Sequence, residues 1–332
     1  MREIGSEFWD VPVIDKQNNI FPKNTQWFLS GRSALKAIIK EIGPQKRVVL
    51  PSWCCDSIIK PFVDEHYDIE FYPFSVNGKI DQETIKNSDV LFLMDFFGHV
   101  GEPSDLGDYK GIIIRDVTHS VFSITYSDAD FYFGSLRKWC GVWTGGFAWT
   151  KDGHGLIPGE PCSMIYIYLR EKAMQLKEKY ILKQGATDKK YLKIFEEAEE
   201  CLEDIGIVQA AERDILIAQK IDVEGIIRQR RMNAEVLRQV FVDWLVFPQM
   251  KPNECPMFVP ILVPNGKRDE LRRYLIRNEI YCPVHWPLSR YHRVDSKTEY
   301  IYRNELSLVC DQRYSEKDMQ RVVKVIKTFM ED

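Results

Sequence analysis

Four residues that can do acid–base or nucleophilic chemistry follow two apolar runs in the first half of the 332-residue chain. Asp116 and His119 come after the run GIII, and Ser135 and Lys138 come after the run FYF. A lysine amine can form a Schiff base with a carbonyl compound, and a carboxylate can pair with a cationic ring. If the two runs are neighbouring strands, these residue types predict a binding site for a carbonyl compound.

Two other segments carry residues suited to a planar, anionic ligand. Gly31, Arg32 and Ser33 lie where a helix is predicted to begin, and Trp53 follows the run RVVLP. The free N–H groups at a helix start bind anions, and an aromatic side chain can stack on a flat ring. These segments therefore predict contacts for a phosphate group and for a ring.

Taken singly, each of these residues has a commoner structural explanation. A lysine after a strand is usually a solvated surface residue, and a tryptophan usually belongs to the core. An aspartate or a serine usually caps a helix or forms a turn. The functional interpretation depends on their joint placement, since every one follows a predicted strand or begins a predicted helix.

The surrounding elements alternate between short apolar runs and amphipathic helical segments over the first 150 residues. Continuous apolar runs are typical of strands buried on both faces, and strands separated by helices predict a mainly parallel sheet. Ligands of such sheets bind beyond the carboxyl ends of the strands, where the polar residues are expected to lie. The runs that predict strands are RVVLP, IEFYPF, VLFLM, IIIR, FYFG and GGFAWT.

The chain changes character after residue 162. Residues 163–235 are rich in charge and predict long helices, and the segments MFVPILV, YCPVHWPL and NELSLVCD predict strands further on. We therefore expect an α/β protein with two domains. The large domain would comprise residues 1–235, including an N-terminal arm, and a small α+β domain would comprise residues 236–332.

Composition argues against several classes of protein. The net charge is −4 and no basic arm is present, so nucleic acid is not an expected partner. The eight cysteines form no CxxC pair, which argues against a structural zinc site, and we expect no metal. No apolar run reaches membrane-spanning length and no secretory signal is evident, so we expect a cytoplasmic protein without a membrane partner.

One cofactor, pyridoxal phosphate (PLP), would use all of these residues together. Its aldehyde needs a lysine for a Schiff base, here Lys138, and its ring nitrogen needs an anionic partner, here Asp116. Its phosphate suits the helix start at residues 31–33, and Trp53 would cover the ring. The sequence therefore predicts a PLP enzyme.

The chain resembles the DegT/DnrJ/EryC1/StrS sugar aminotransferases, a family of fold-type-I PLP enzymes, over most of its length. LSGRSALKAII resembles the family's SGTxAL phosphate turn, and PSWCCDSI resembles the segment that supplies the ring-stacking aromatic residue. RDVTHS resembles its D-x-x-Q/H element, and MDFFGHVGEPSDL resembles a strand and loop of the family. Lys138 precedes the pair Gly145–Gly146 by seven residues, as the family's lysine does.

The resemblance implies roles for the candidate residues. Asp116 would pair with the pyridine nitrogen, and His119 would reach the hydroxyl side of the cofactor. Arg32 and Ser33 would offer backbone amides to the phosphate. The family also implies a homodimer and a fold with a large, mainly parallel sheet between helices plus a small C-terminal domain.

The sequence departs from the family pattern beside the lysine. The family commonly places a phosphate-binding serine five residues before the lysine, where this chain has Phe133. Ser135 stands three residues before, so Ser135 and its neighbour Arg137 become candidate cofactor ligands. The family's GEGG is replaced by WTGG, and its N-x-R motif is not evident.

The resemblance implies transfer of an amino group from a glutamate-like donor to a keto sugar attached to a nucleotide, as in surface-polysaccharide biosynthesis. Arg313, after the run LSLVCD, is a candidate clamp for a substrate carboxylate. Other PLP reactions stay open, namely a desulfurase with Cys282 or Cys310 as nucleophile, an aldolase, or a dehydratase. Dehydratase relatives replace the lysine with histidine, so Lys138 argues against that branch. A non-catalytic relative with a regulatory or scaffold role is a further alternative.

Overall fold

The computed structural model describes residues 3–101, 106–107, 109–123, 129–184, 188–203 and 205–331. Its larger sheet has seven strands. In their order across the sheet, these strands are Gln26–Phe28 (β2), Gly146–Thr150 (β8), Phe131–Ser135 (β7), Ile112–Asp116 (β6), Val90–Met94 (β5), Arg47–Pro51 (β3) and Asp68–Tyr72 (β4). Part of the GEPSDL segment that resembles the family loop, residues 102–105, lies outside the described residues.

The large sheet is mainly parallel, which confirms the prediction. Strand β8 is antiparallel to its neighbours β2 and β7, and the other neighbouring pairs are parallel. Every residue of β5, β7 and β8 is buried, as expected for strands covered on both faces.

Ten helices occur in the described residues. The first helix begins beside β7 and β8, where Ser30 caps it by accepting a hydrogen bond from the Ser33 N–H. The helices are Gly31–Ile42 (α1), Asp56–Asp64 (α2), Gln82–Ile85 (α3), Met164–Ile181 (α4), Tyr191–Glu200 (α5), Glu212–Ala218 (α6), Val223–Val240 (α7), Arg268–Arg277 (α8), Ser296–Asn304 (α9) and Glu316–Glu331 (α10). Within the described ranges, none of the helices combines the length and the apolarity needed to cross a membrane.

The carboxyl ends of β3, β5, β6 and β7 lie at one edge of the sheet because these strands are parallel. Helix α1 and strand β8 begin at the same edge. The two meet so closely that a Cβ built on Gly146 would lie 2.1 Å from the Ser30 carbonyl oxygen. Glycine at position 146 therefore allows the start of β8 to lie against the start of α1.

A second core lies in the C-terminal part of the chain. Strands Phe258–Leu262 (β9) and Glu305–Val309 (β11) pair in antiparallel fashion, and helices α7, α8 and α10 contribute to the same core. The N-terminal strand Ile4–Gly5 (β1) pairs with Ile280–Tyr281 (β10), and Ile4 is fully buried in this core. The predicted domain division between residues 235 and 236 falls inside α7 and stays a prediction.

The prediction that YCPVHWPL forms a strand is wrong beyond its first residue. Only Ile280–Tyr281 is strand there. Pro283 and Pro287 have no N–H to donate to a ladder. The N–H of His285 instead donates to the buried Glu305 carboxylate, at 2.7 Å. The Glu305 side chain therefore takes the place of a backbone carbonyl as the acceptor for the His285 N–H.

Candidate functional site

A cavity of about 190 Å³ lies at the carboxyl edge of the large sheet and collects most of the predicted site residues. Its walls come from β6, β7, the start of α1 and the end of α5, so residues distant in sequence meet there. The predicted residues that line it are Gly31, Arg32, Asp116, His119, Ser135, Arg137 and Lys138. This convergence is what parallel topology requires of strand-end residues.

Lys138 ends a short 3₁₀ turn, Leu136–Lys138, directly after β7. The next residue, Trp139, is fully buried and donates from its indole N–H to the Thr118 carbonyl at 2.7 Å. The Trp139 carbonyl accepts from the Gln312 amide at 2.7 Å. These contacts fix the turn, while the Lys138 side chain itself is exposed and lines the cavity.

Asp116 ends β6 and is buried at the cavity wall. Its carboxylate accepts a hydrogen bond from the Thr118 N–H at 2.8 Å. Burial raises the pKa of Asp116 to about 6, against the opposing effects of that bond and of the Lys138 charge. A cation placed beside this carboxylate would offset the cost of its burial.

His119 lies against the cavity as a neutral base. Its Nδ1 accepts from the Phe97 N–H at 3.4 Å, which assigns the ring proton to Nε2. Burial and the nearby charge of Lys138 hold the pKa of His119 well below its usual range. The ring stacks on Trp286, with centroids 5.6 Å apart.

Trp286, which the sequence reasoning missed, is the tryptophan that lines the cavity. The predicted stacking residue Trp53 is absent from that lining as the structure describes it, and its side chain is fully buried. Its indole N–H donates to the His285 carbonyl at 2.6 Å, and its ring stacks on Phe96. Trp53 therefore contributes to the core behind the site, and the geometry gives no support to its role as a ring cover.

The start of α1 faces the cavity through Gly31 and Arg32. The first N–H groups of a helix have no acceptor within the helix, so this end can hold an anion. The Arg32 guanidinium donates to the Leu202 carbonyl. The Ser33 hydroxyl donates to the Gly206 carbonyl at 2.8 Å, so it is engaged outside the cavity.

Ser135 and Arg137 flank the lysine turn differently. Ser135 ends β7, is buried and lines the cavity. Arg137 forms an ion pair with Glu199 at 2.8 Å and donates to the Tyr166 hydroxyl. Among the described residues, none accepts from its buried Nε. Arg137 thus ties the end of α5 to the cavity wall.

Arg313 lies away from the small cavity, and its guanidinium has partners within the protein. It pairs with Asp311 through two hydrogen bonds of 2.9 and 2.8 Å. It also donates to the Glu7 carbonyl at 2.9 Å and to the Ser6 carbonyl at 3.1 Å. Arg313 also lines a second, larger cavity, so its role as a clamp for a substrate carboxylate stays a prediction, although its guanidinium already pairs with Asp311.

A larger cavity of about 590 Å³ adjoins the small one and shares Lys138 and Arg137 with it. Residues 5–8 of the N-terminal segment form part of its wall, together with His285. The thiols of Cys282 and Cys310 are buried, and burial raises the pKa of Cys282 to about 12. A thiol in that state is a poor nucleophile, which disfavours the desulfurase alternative.

Within the described ranges, no three histidine, cysteine or carboxylate side chains lie close enough to hold a metal ion. All eight cysteines are free thiols. The chemistry available at the cavity is therefore that of an amine, a carboxylate and a helix start.

Comparison with solved structures shows which proteins have a similar fold. "Helicobacter pylori PseC, aminotransferase involved in the biosynthesis of pseudoaminic acid" is 15% identical, and the match covers 98% of this chain and 100% of that chain with a TM-score of 0.69. The chain has the fold of an aminotransferase. The predicted fold class is thereby confirmed.

Two further structures agree with this assignment of the fold. A DegT DnrJ EryC1 StrS aminotransferase from Brucella abortus is 15% identical, covering 92% of this chain and 85% of that chain with a TM-score of 0.63. NtdA from Bacillus subtilis, solved with bound cofactor PMP, is 11% identical, covering 93% of this chain and 73% of that chain with a TM-score of 0.64. No family model and no curated protein matches the sequence.

Proposed function

We propose that this protein is a PLP-dependent aminotransferase of the DegT/DnrJ/EryC1/StrS kind. The observation that carries the proposal is the single cavity in which Lys138, Asp116 and the start of α1 converge. Further support comes from the fold, which this chain shares with two aminotransferases and with NtdA, a protein solved with bound PMP.

The residues of the small cavity fit PLP in chemical type. Lys138 offers a primary amine, and Asp116 is a buried carboxylate whose pKa burial raises to about 6. The start of α1 offers backbone N–H groups for a phosphate. Trp286 offers a flat face to a ring. When bound, PLP would supply an electron sink for the reacting carbon.

Each side chain of the cavity would have its own role in binding the cofactor or in moving a proton. The Lys138 amine would hold the cofactor and then carry a proton to and from the substrate carbon, as general base and acid. Asp116 would keep the ring nitrogen protonated through its negative charge. His119, neutral and donating from Nε2, would orient the hydroxyl side of the ring. Ser135 and Arg137 would complete the phosphate end of the cavity.

The substrates would be an amino donor resembling glutamate and a keto sugar attached to a nucleotide. The larger cavity beside Lys138 has the size for such an acceptor, since ligand cavities usually measure roughly 300–1,000 Å³. The polar and cationic side chains in its wall, such as Arg137 and Arg272, would suit a hydroxylated, anionic molecule. Surface-polysaccharide biosynthesis is the corresponding cellular role.

We further propose a cytoplasmic homodimer. The Lys138 side chain is exposed in the single chain, whereas a reactive lysine needs a site shielded from water. A second copy placed over the mouth of the cavity would provide that shielding.

Amine formation tests the proposed activity. The purified protein, loaded with PLP, is mixed with glutamate and a panel of nucleotide-linked keto sugars, and products are measured by mass spectrometry. We expect an amino sugar from at least one acceptor, and no product with Lys138→Ala. The control Lys40→Ala, which removes an exposed lysine near the end of α1, should keep full activity. Loss of a keto group without gain of nitrogen would instead favour another PLP reaction.

A further inference from the structure

Three buried residues of the C-terminal part form a chain of hydrogen bonds that ends at the larger cavity. Glu305 and Ser307 lie two residues apart on β11, so their side chains share one face of the strand. The Ser307 hydroxyl lies 2.5 Å from the Glu305 carboxylate and 2.8 Å from Nδ1 of His285. Glu305 and Ser307 are both 0% exposed, so water has no access to this chain of bonds.

The other ring nitrogen of His285 is left for a ligand. His285 lines the larger cavity together with Lys138. Within the described part of the chain, no side chain or backbone group hydrogen-bonds to its Nε2. The backbone holds the ring in place, because the His285 N–H donates to the second carboxylate oxygen of Glu305 at 2.7 Å.

The Ser307 hydroxyl has a single proton. The direction in which it donates therefore links the protonation of Glu305 to the tautomer of His285. When Glu305 is ionised, Ser307 donates to the carboxylate and must accept from Nδ1–H, so Nε2 of His285 is a bare acceptor. When Glu305 is protonated, it donates to Ser307, Ser307 donates to Nδ1, and Nε2 carries the proton. The protonation of Glu305 thus decides whether His285 accepts from or donates to the cavity.

We infer that Glu305, Ser307 and His285 form a proton relay between the protein interior and an oxygen atom of the substrate held beside Lys138. The inference rests on the proposed function, because an aminotransferase that acts on a keto acceptor must protonate the oxygen that leaves. The Nε2–H bond breaks as an O–H bond forms on the substrate. Ser307 then passes its proton to Nδ1, and Glu305 passes its proton to Ser307. One proton enters the substrate and one leaves Glu305, so charge and atoms balance.

The charges around the relay are compatible with this exchange. Burial raises the pKa of Glu305 to about 8, against the attraction of Arg268, whose guanidinium donates to the Glu305 backbone carbonyl at 3.1 Å. The buried Cys282 thiol also lies near Glu305, whose charge contributes to raising the pKa of that thiol. Burial and the charge of Lys138 hold the pKa of His285 well below its usual range, so the ring stays neutral between transfers.

His119 is the other titratable side chain that faces His285, with ring centroids 5.8 Å apart. It is also neutral, because burial and the charge of Lys138 lower its pKa. Glu305 is therefore the group of the relay whose protonation changes near neutral pH.

Nitrogen NMR of histidine tests the relay without relying on turnover. The full-length chain is labelled with ¹⁵N-histidine and recorded at pH 6.5 and 9.5, with and without PLP, and the His285→Gln spectrum identifies the His285 signals. We expect the Nε2–H form at the lower pH and the Nδ1–H form at the higher pH. Glu305→Gln should show the Nε2–H form at both, because its amide always donates to Ser307. The control Glu299→Gln, a half-exposed change on α9 that removes an ion pair with Arg303, should switch as the wild type does.

The rate at which the keto acceptor is converted provides a second test of the relay. With PLP-loaded protein, Ser307→Ala should slow the conversion of the keto acceptor roughly 10²-fold, with KM little changed. A wild-type tautomer that is the same at both pH values, or a switch that persists in Glu305→Gln, would overturn the relay. A switching protein that binds no PLP at Lys138 would contradict the proposed function alone. A fixed tautomer in a protein that does bind PLP there would contradict the relay alone.

Discussion

Asp116 is a carboxylic acid in the wall of the small cavity, and burial raises its pKa to about 6. The usual value for an aspartate is near 4, so the folded protein holds a proton that the unfolded chain releases. This contribution to stability is fully present below pH 4 and is lost as the pH rises through 6. A cationic ligand beside the carboxylate would reverse the trend.

We predict that Asp116→Asn removes this pH dependence. Between pH 4 and 7, the apoprotein of the wild type should lose on the order of 3 kcal/mol of unfolding free energy relative to the variant. Urea unfolding at a series of pH values measures the difference. Asp64→Asn, an exposed change on α2, serves as the control and should follow the wild type. Parallel curves for wild type and Asp116→Asn would show that the carboxyl has an ordinary pKa.

The tryptophan beside the cavity differs from the one that the sequence predicts. Trp53 is fully buried in the core, and Trp286 lines the cavity. We predict that Trp286→Leu weakens PLP binding roughly fivefold, since the flat ring contact is worth roughly 1 kcal/mol. Trp53→Leu should instead lower the unfolding free energy by about 2 kcal/mol or more, through lost packing and the lost bond to the His285 carbonyl.

PLP titration by absorbance and urea unfolding separate the two variants. The account requires the larger change in affinity for Trp286→Leu and the larger change in stability for Trp53→Leu. The reverse ranking would restore Trp53 as the ring-stacking residue.

At the scale of elements, the start of α1, which forms the end of the cavity proposed for the phosphate, lies close against β8. A Cβ at position 146 would overlap the Ser30 carbonyl oxygen, which is a backbone atom and cannot turn away. The strand and the helix start would have to separate. Such a separation would displace Gly31 and Arg32 from the cavity wall.

We therefore predict that Gly146→Ala lowers both stability and PLP affinity. The unfolding free energy should fall by roughly 1–3 kcal/mol, the usual cost of overpacking, and PLP should bind at least tenfold more weakly. Gly155→Ala is the matched control, since the nearest atom to its new Cβ is a side-chain oxygen at 3.7 Å. Unchanged PLP affinity in Gly146→Ala would remove the start of α1 from the phosphate site.

The elements also show what the sequence could predict. Apolar runs define β3, β5, β6 and β7, and parallel topology then brings Asp116, His119 and Lys138 to one edge. These placements follow from local patterns and one general rule, so they are predictable. Trp286 is not, because its position depends on a bond from the His285 backbone to a glutamate 20 residues away. No local pattern encodes that contact.

At the scale of the whole molecule, the two ends of the chain meet beside the larger cavity. Arg313 donates to carbonyls more than 300 residues away in sequence, at Ser6 and Glu7. Buried Glu3 pairs with Lys177 at 3.3 Å and with Lys189 at 2.9 Å. The N-terminal segment is therefore part of the wall of the proposed substrate site. The contacts of Arg313 with Ser6 and Glu7 could not be predicted from the sequence, because those residues lie at the far end of the chain.

The central claim is that Lys138 holds PLP, and covalent trapping tests it most directly. The protein is incubated with PLP, reduced with borohydride and digested, and the modified peptides are identified by mass spectrometry. The account predicts a pyridoxyl group on Lys138, absent from Lys138→Ala and retained in Lys40→Ala. An unmodified Lys138, or an equal yield of adduct on other lysines in Lys138→Ala, would contradict it.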